Sequence, residues 1–151
     1  MIAAHEPEAV VLLGVARSQG EIHLERAALN IDDSETADND AQVRRGRLIE
    51  PQGPVGYWST LPLEAMLARL AALGVPAVIS NHAGSFVCNH VFFAASAEIE
   101  CRGGRARCGF IHLPGRADAQ LGGDVLVAAV VSCLEVVADA MTRRPNPSVR
   151  N

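Results

Sequence analysis

One cysteine of this chain lies where a thiol can act as a nucleophile. Cys88 sits in the stretch SNHAGSFVCNHVFF, residues 80–93, between a small-residue turn and an apolar helical pattern. At a helix N-terminus, unpaired backbone amides and the positive end of the helix dipole favour a thiolate. The same amides can donate hydrogen bonds to an oxyanion that forms beside the sulfur. Free cysteines are also commonly small buried hydrophobes, so the pattern leaves both interpretations of Cys88 open.

A thiolate nucleophile needs a base within hydrogen-bonding reach, and the chain has five histidines. His90 follows Cys88 by two positions, about 200° around a helix, so we expect it to point away and to be structural. His82 lies in the turn and can reach several places. His112 ends the apolar run CGFI and is expected at the same sheet edge as the turn before Cys88. It is therefore the preferred base, with a purely structural role as the alternative.

The third role is to orient the imidazole, and it calls for a carboxylate or an amide near a strand end. Glu25 adjoins an apolar stretch that can form a strand. On the residues alone it competes with Asp32, Asp33 and Glu35.

The remaining cysteines carry no pattern that indicates a metal or a crosslink. Cys88, Cys101, Cys108 and Cys133 are separated by 13, 7 and 25 residues, and no CxxC pair occurs. Such spacing predicts neither a zinc site nor a disulfide framework. We expect the other three thiols to be buried or inert, and we expect no metal site.

Composition places the chain among globular proteins. Of its 151 residues, 49% are hydrophobic, 20% charged and 4% aromatic, and the formal net charge is −4. The negative balance argues against a nucleic-acid partner. No apolar run is expected to reach the length of a membrane span, and no basic region precedes the first apolar stretch. These features predict a cytoplasmic protein with no membrane partner.

The elements that must position these residues follow from hydrophobic periodicity. Strands are predicted at 9–15, 76–80 and 108–113, with a weaker one at 26–31, and helices at 59–74, 85–99 and 120–143. This alternation predicts the α/β class, a three-layer α/β/α sandwich with a mostly parallel sheet. In such a sheet, ligand chemistry gathers at the carboxyl ends of the strands.

Smaller features complete the prediction. Residues 1–142 are expected to form a single domain and residues 143–151 a frayed tail. Residues 32–56 are polar and rich in turn residues, which predicts a long excursion with room for a small hairpin. Ser59 or Thr60 is expected to cap the helix that follows.

The cysteine stretch resembles the nucleophile motif of the pyroglutamyl peptidase I family, S-N-[ST]-A-G-[ST]-[YF]-[VL]-C-N-x-[VL]-[FM]-[YF]. GFIHLP resembles the segment that holds the family's catalytic histidine, and LERAALNIDD the segment that holds its glutamate. YWSTLPLEAMLARL and AVVLLGV also fit the family. The resemblance therefore extends, in order, over nearly the whole chain.

The resemblance implies Cys88 as nucleophile, His112 as general acid and base, and Glu25 as the residue that orients His112. Phe86 and Val87 match positions that line the pocket for the lactam ring. The implied activity is that of a cysteine exopeptidase (omega peptidase), which removes N-terminal pyroglutamate from peptides through a thioester. The family needs no metal or organic cofactor, is cytosolic and is commonly tetrameric, so a homo-oligomer is expected.

The sequence departs from the family pattern at three places. The family begins with a strand and loop of the type TGFxPFGGxxxNPS, for which this sequence has no counterpart. The sheet is therefore expected to be truncated on its N-terminal side, without the aromatic half of the ring pocket. Arg17, Ser18 and Gln19 stand where the family has Gly, Gly and Arg. Glu35 stands where the family has an arginine, which reverses the local field if it lies near the site.

Three hypotheses remain open. The first is an active exopeptidase, which the presence of Cys88, His112 and Glu25 favours. The second is an impaired homologue that acts as a fold relic or a binding protein, which the three departures favour. The third is a cysteine hydrolase of another small acyl or lactam group, with Glu35 selecting a cationic substrate.

Overall fold

The computed structural model describes residues 2–16, 20–115 and 121–142. These residues form six strands and four helices: α1 (Ile2–His5), β1 (Ala9–Ala16), β2 (Ile22–Glu25), β3 (Ala27–Leu29), β4 (Gly56–Trp58), α2 (Leu63–Ala72), β5 (Ala77–Ser80), α3 (Val87–Cys101), β6 (Arg107–Pro114) and α4 (Gly123–Thr142). Residues 17–19, where one of the three departures falls, and the predicted tail at 143–151 lie outside the described residues.

Four strands form the central sheet in the order β1-β6-β2-β5. The outer pairings, β1 with β6 and β2 with β5, are parallel, whereas β2 and β6 run antiparallel. The α/β class with a mostly parallel sheet is thus confirmed. Strands β3 and β4 pair separately as an antiparallel ribbon.

One face of the sheet packs against α2 and α4. Ile22, Leu24 and Ile111 point to this face, where they meet the buried Met66 and Leu70 of α2. Because side chains alternate along a strand, the residues between them point to the other face. His23, Glu25, Phe110 and His112 are therefore expected opposite the two helices.

Helix α3 covers that second face. Its fully buried Phe92 and Phe93 pack with Phe110 of β6 and Ala28 of β3. The ring centroids of Phe92 and Phe110 lie 6.1 Å apart, and the ring of Tyr57 of β4 lies tilted against Phe93 at 5.0 Å. The two helices on one face and the single helix on the other give three layers, as predicted.

The strand predicted at 26–31 is placed differently in the structure. Only 27–29 is a strand, and it belongs to the small ribbon. The central strand β2 directly precedes it and was not predicted, because IHLE alternates polar and apolar residues over only four positions. In the polar segment 32–56, a bridge between Asp32 and Arg47 forms the expected small hairpin-like pairing.

The predicted cap of α2 was wrong. The N-cap is Pro62, and no side chain caps the helix. Ser59 and Thr60 instead bind the edge of β6: the Cys108 amide donates to Thr60 Oγ1 at 2.7 Å, and Ser59 Oγ donates to the Cys108 carbonyl at 3.3 Å. The two hydroxyls therefore tie the entry of α2 to the sheet.

Helix α4 is, by length and composition, apolar enough to cross a membrane, contrary to the expectation from the sequence. A single helix of this kind is weak evidence, since core helices of soluble proteins meet the same criterion. Ala129 and Cys133 are buried in the core. Glu135 pairs with Arg69 of α2 at 3.3 Å. These contacts make α4 a layer of the sandwich.

Candidate active site

Cys88 is the second residue of α3. Phe86 is the N-cap of the helix, with extended backbone angles. The turn from β5 passes through Gly84, whose φ of +85° is a conformation that other residues rarely adopt. Ser85 anchors the turn, because its hydroxyl donates to the Asp33 carbonyl at 2.6 Å. The half-buried thiol thus lies among first-turn amides that have no intrahelical acceptor.

His112 and Glu25 form a buried pair on neighbouring strands. Glu25 lies opposite Phe110 in the register, one step along the same face from His112. His112 Nδ1 and Glu25 Oε1 are 2.7 Å apart. Only 8% of His112 and 2% of Glu25 is exposed. Because the Glu25 carboxylate occupies Nδ1, the Nε2 atom of the ring remains available for proton transfer.

The route by which His112 reaches the site differs from the predicted one. We expected β6 and β5 to end at the same sheet edge. In fact β2 is parallel to β5 and antiparallel to β6, so β5 and β6 run in opposite directions. His112 therefore meets the turn before Cys88 across the face of the sheet, where α3 packs.

Cys88 lies beside the imidazole of His112. Burial lowers the pKa of His112, but the interactions with Cys88 and then with Glu25 outweigh it and raise the pKa to about 9. The ring is therefore protonated at neutral pH. Among the described residues, no hydrogen bond of standard geometry joins the sulfur to the ring. The two groups are neighbours, and catalytic contacts of this kind are often long without substrate.

Two further residues shape the space around the thiol. The ring of Phe110 packs at 4.7 Å against the ring of His112. Gly14 of β1 lies opposite His112 in the register. A Cβ on residue 14 would be 2.7 Å from Phe110 Cζ and 3.1 Å from Cys88 Sγ. The absence of a side chain at this position keeps the thiol accessible.

Gly14→Ala is expected to lower kcat/KM by about tenfold or more for any reaction in which the Cys88 sulfur attacks a substrate. The reason is that the new methyl group displaces Phe110 and crowds the sulfur. Overpacking of this kind also costs stability, about 1–3 kcal/mol. Steady-state kinetics and thermal unfolding measure both effects. Gly122→Ala is the matched control, since a Cβ there meets open space. Full activity in Gly14→Ala would contradict the assigned crowding.

Asn89 fixes the entry of α3 against the strand ribbon. Its side chain is completely buried. Its Oδ1 accepts from the Leu29 amide at 2.8 Å, and its Nδ2 donates to the carbonyls of Leu29 and Ile31 at 2.8 and 3.0 Å. One amide therefore satisfies three backbone groups next to Cys88. A buried asparagine in an apolar helix is the only sequence signal for this role.

Asn89→Ala is expected to destabilise the fold by about 2–4 kcal/mol, because three backbone groups lose their partner in a dry site. Urea unfolding followed by circular dichroism gives the change. Asn39→Ala, at an exposed position, should change stability by less than about 0.5 kcal/mol. Equal midpoints for the two variants would show that Asn89 is not an anchor.

His90 is not a partner of Cys88, as predicted. Its Nδ1 contacts both carboxylate oxygens of Asp32, at 3.0 and 2.9 Å. Arg44 bridges Asp32 and Asp38, at 3.8 and 3.0 Å. Asp32, which the sequence left as an alternative to Glu25, therefore pairs with His90. The network of His90, Asp32, Arg44 and Asp38 holds the polar segment against α3.

Phe86 and Val87 line an open cleft of about 460 Å³, which we call the Phe86 cleft. Its other walls come from the polar segment and α3: Asp32, Asp33, Ser34, Thr36, Ala37, Asp38, Asn39, Asp40, Gln42, Arg44, Ser85 and His90. Both apolar side chains are exposed, 38% for Phe86 and 44% for Val87. They are thus available to a ligand.

A second cleft, of about 410 Å³, lies beside the imidazole of His112. We call it the His82 cleft, and it is lined by His23, Glu25, Ser80, Asn81, His82, Ala83, Gly84 and His112. The turn that leads to Cys88 separates it from the Phe86 cleft. His112 and Glu25 thus line one of the two open spaces, and Phe86 and Val87 line the other.

Glu35 lies outside both clefts. Its side chain is 87% exposed and pairs with Arg45 at 3.1 Å. Solvent and Arg45 screen its charge, so the structure gives no support to a role for Glu35 in selecting a cationic substrate.

Two of the other three thiols are buried, and one is exposed. Burial raises the pKa of Cys108, and burial raises the pKa of Cys133 to about 11. Cys101 is exposed at the end of α3. Among residues 2–16, 20–115 and 121–142, no group of three or more metal-ligating side chains occurs.

A cysteine at a helix start lies beside a histidine–glutamate pair in an α/β sandwich. This arrangement is typical of cysteine hydrolases. The family model described as pyroglutamyl peptidase matches residues 1–142. The chain belongs to the pyroglutamyl peptidase family.

Curated relatives and solved structures agree with this assignment. Pyrrolidone-carboxylate peptidases of Bacillus cereus and Bacillus mycoides are 42% and 39% identical over 108 residues, 72% of this chain and 50% of theirs. Pyroglutamyl peptidase I from Bacillus amyloliquefaciens superposes with a TM-score of 0.86 at 30% identity, over 91% of this chain and 69% of that one. A mutant pyrrolidone carboxyl peptidase from Pyrococcus furiosus superposes with a TM-score of 0.88 at 26% identity, over 93% of this chain and 73% of that one. The chain spans about half the length of the curated relatives it matches.

Proposed function

We propose that this protein is a cysteine exopeptidase that removes an N-terminal pyroglutamate from peptides. The observation that carries the proposal is the position of His112, held by buried Glu25 on one side and adjoining Cys88 at the start of α3 on the other. Family membership supplies the reaction class.

In the first step, the Cys88 thiolate attacks the carbonyl carbon of the peptide bond that follows pyroglutamate, not the lactam carbonyl. A tetrahedral oxyanion forms. First-turn amides of α3 are placed to donate hydrogen bonds to that oxygen. The His112 imidazolium then gives its proton to the leaving amine as the C–N bond breaks. A thioester on Cys88 and a neutral imidazole remain.

In the second step, the same imidazole takes a proton from water, and the hydroxide attacks the thioester. The C–S bond then breaks, which releases pyroglutamate and restores the Cys88 thiolate. Two of the interactions that raise the pKa of His112 come from Cys88. Acylation removes the charge of the sulfur, so the pKa of His112 falls and the ring becomes an effective base. Glu25 remains in place and stabilises the imidazolium that forms again.

The lactam ring is proposed to bind in the Phe86 cleft, against Phe86 and Val87. A small neutral ring suits an apolar wall beside backbone polar groups, since it brings no charge to pair. The reaction uses only protein groups, and we propose no metal or organic cofactor.

We further propose a cytoplasmic homo-oligomer with neither nucleic acid nor membrane as a partner. The support for self-association is apolar exposure: β1 is an end strand of the sheet and presents Leu13 and Val15, 50% and 66% exposed. Exposed apolar edges of this kind favour pairing with another chain. The same exposure supports the second candidate, an impaired homologue that acts as a binding protein.

The test compares pyroglutamyl-aminocoumarin with prolyl-aminocoumarin, which has the same ring size but lacks the lactam carbonyl. We expect hydrolysis of the first substrate and none of the second. Absence of turnover in a folded, monodisperse sample would refute the exopeptidase and leave the binding protein. Equal turnover of both substrates would refute the pyroglutamyl specificity.

A further inference from the structure

The two clefts lie on either side of the turn that leads to Cys88, and Cys88 itself lines neither of them. The Phe86 cleft contains Phe86 and Val87 but not His112, whereas the His82 cleft contains His112. In the proposed reaction, His112 delivers its proton to the amine that leaves. The residue that leaves must therefore lie on the side where His112 is accessible, which is the His82 cleft.

The groups that this cleft offers are mainly hydrogen-bond donors. His82 Nδ1 accepts from the Gly84 amide at 3.1 Å, so the neutral ring carries its proton on Nε2. Asn81 Oδ1 accepts from Arg26 Nη1 at 3.1 Å, which orients the Asn81 NH₂ group as a donor. Arg26 does not line the cleft, but this contact places its permanent positive charge beside Asn81.

Two carboxylates lie at or beside this cleft, and each contacts a histidine, although among the described residues the buried Oε2 of Glu25 has no hydrogen-bond partner. Glu25 is bound to His112 at 2.7 Å. Glu21 contacts His23 at 3.6 Å, on the strand β2 side of the cleft. The turn of Asn81 and His82 itself carries donors and no carboxylate, and Arg26 lies beside it.

We propose that the His82 cleft binds the leaving residue and favours one that carries a carboxylate, with His82 and Asn81 as its donors and the charge of Arg26 beside them. The inference rests on the proposed exopeptidase function and names the substrate class for the residue after pyroglutamate. The carboxylate is either the side chain of that residue or its C-terminus, since the chemistry is the same.

The test measures kcat/KM for three matched substrates. Pyroglutamyl-glutamine amide is the neutral reference, pyroglutamyl-glutamate amide adds a side-chain carboxylate, and pyroglutamyl-glutamine adds a C-terminal one. We expect at least one carboxylate substrate to be preferred by about three- to tenfold, the range of a partly exposed charge-assisted contact. The arm that shows the preference identifies the source. Equal rates for all three would overturn the inference and leave the exopeptidase standing.

His82→Ser removes the Nε2 donor, while its hydroxyl can still accept from the Gly84 amide. The preference ratio should fall toward one in this variant, and Arg26→Gln should lower it further. His5→Ser, at an exposed site on α1, is the control and should keep the wild-type ratio. An unchanged ratio in His82→Ser and Arg26→Gln would overturn the assignment of the donors.

A binding measurement separates this inference from the proposed function. Calorimetry on the Cys88→Ser protein compares the affinities of the three compounds without turnover. Tighter binding of a carboxylate compound would support the cleft even if the wild type hydrolysed nothing, which would refute the exopeptidase alone. Equal or undetectable binding of the three compounds to Cys88→Ser, together with no turnover by the wild type, would overturn both proposals.

Discussion

Cys88→Ala is expected to reduce hydrolysis of pyroglutamyl-aminocoumarin to the uncatalysed background, a loss of about 10⁴-fold or more. Alanine leaves the helix start and its amides in place but supplies no atom to form the thioester. The substitution removes one sulfur from a half-buried position, so the fold should persist, as circular dichroism can verify. Steady-state rates at equal concentrations of folded protein give the result.

Cys101→Ala is the matched control, because it removes an exposed thiol at the other end of the same helix. It should retain wild-type rates. Cys108 and Cys133 are unsuitable as controls, since they are buried in the two cores. Residual activity of Cys88→Ala above one per cent of wild type would contradict the nucleophile assignment.

Glu25→Gln is expected to lower kcat/KM at pH 8 by about 10²-fold or more, because the imidazolium loses its stabilising carboxylate. Glu25 helps to raise the pKa of His112 to about 9. Its removal lowers that pKa, so the alkaline limb of the pH–rate profile should move to lower pH. An alkaline limb that stays near pH 9 in the variant would contradict the coupling.

The same pair makes stability depend on pH in a defined direction. A histidine whose pKa is raised on folding contributes stability that is complete below its unfolded pKa of about 6.5. The contribution is lost as the pH rises through about 9. The stability difference between wild type and Glu25→Gln should therefore be largest below pH 6.5 and shrink toward pH 9, as urea unfolding at several pH values can measure.

Residues with strong local signals were well placed by sequence. The apolar runs at 9–15 and 108–113 became β1 and β6, and the segment with Cys88 began a helix as expected. Residue patterns favoured Cys88 and His112, whereas Glu25 was singled out among competing carboxylates only by the family resemblance. The structure brings the three together on the sheet face that α3 covers. Their catalytic roles remain predictions until the variants are measured.

Features that depend on long-range contacts could not be foreseen. The antiparallel pairing of β2 with β6 reverses the expected direction of His112, and nothing local in IHLE indicates a central strand. Ser59 and Thr60 have good capping chemistry, but the edge of β6 competes for their hydroxyls. Gly14 has a role only because a strand far from Cys88 in sequence passes beside its sulfur.

The most direct measurement of the central claim is to trap the acyl-enzyme. Wild-type protein is mixed with pyroglutamyl-aminocoumarin, quenched in acid within the first turnovers, digested and examined by mass spectrometry. We predict one pyroglutamyl group on the peptide that contains Cys88, and none on those containing Cys101, Cys108 or Cys133. Turnover with no adduct on Cys88, or with the adduct on another cysteine, would contradict covalent catalysis by this thiol.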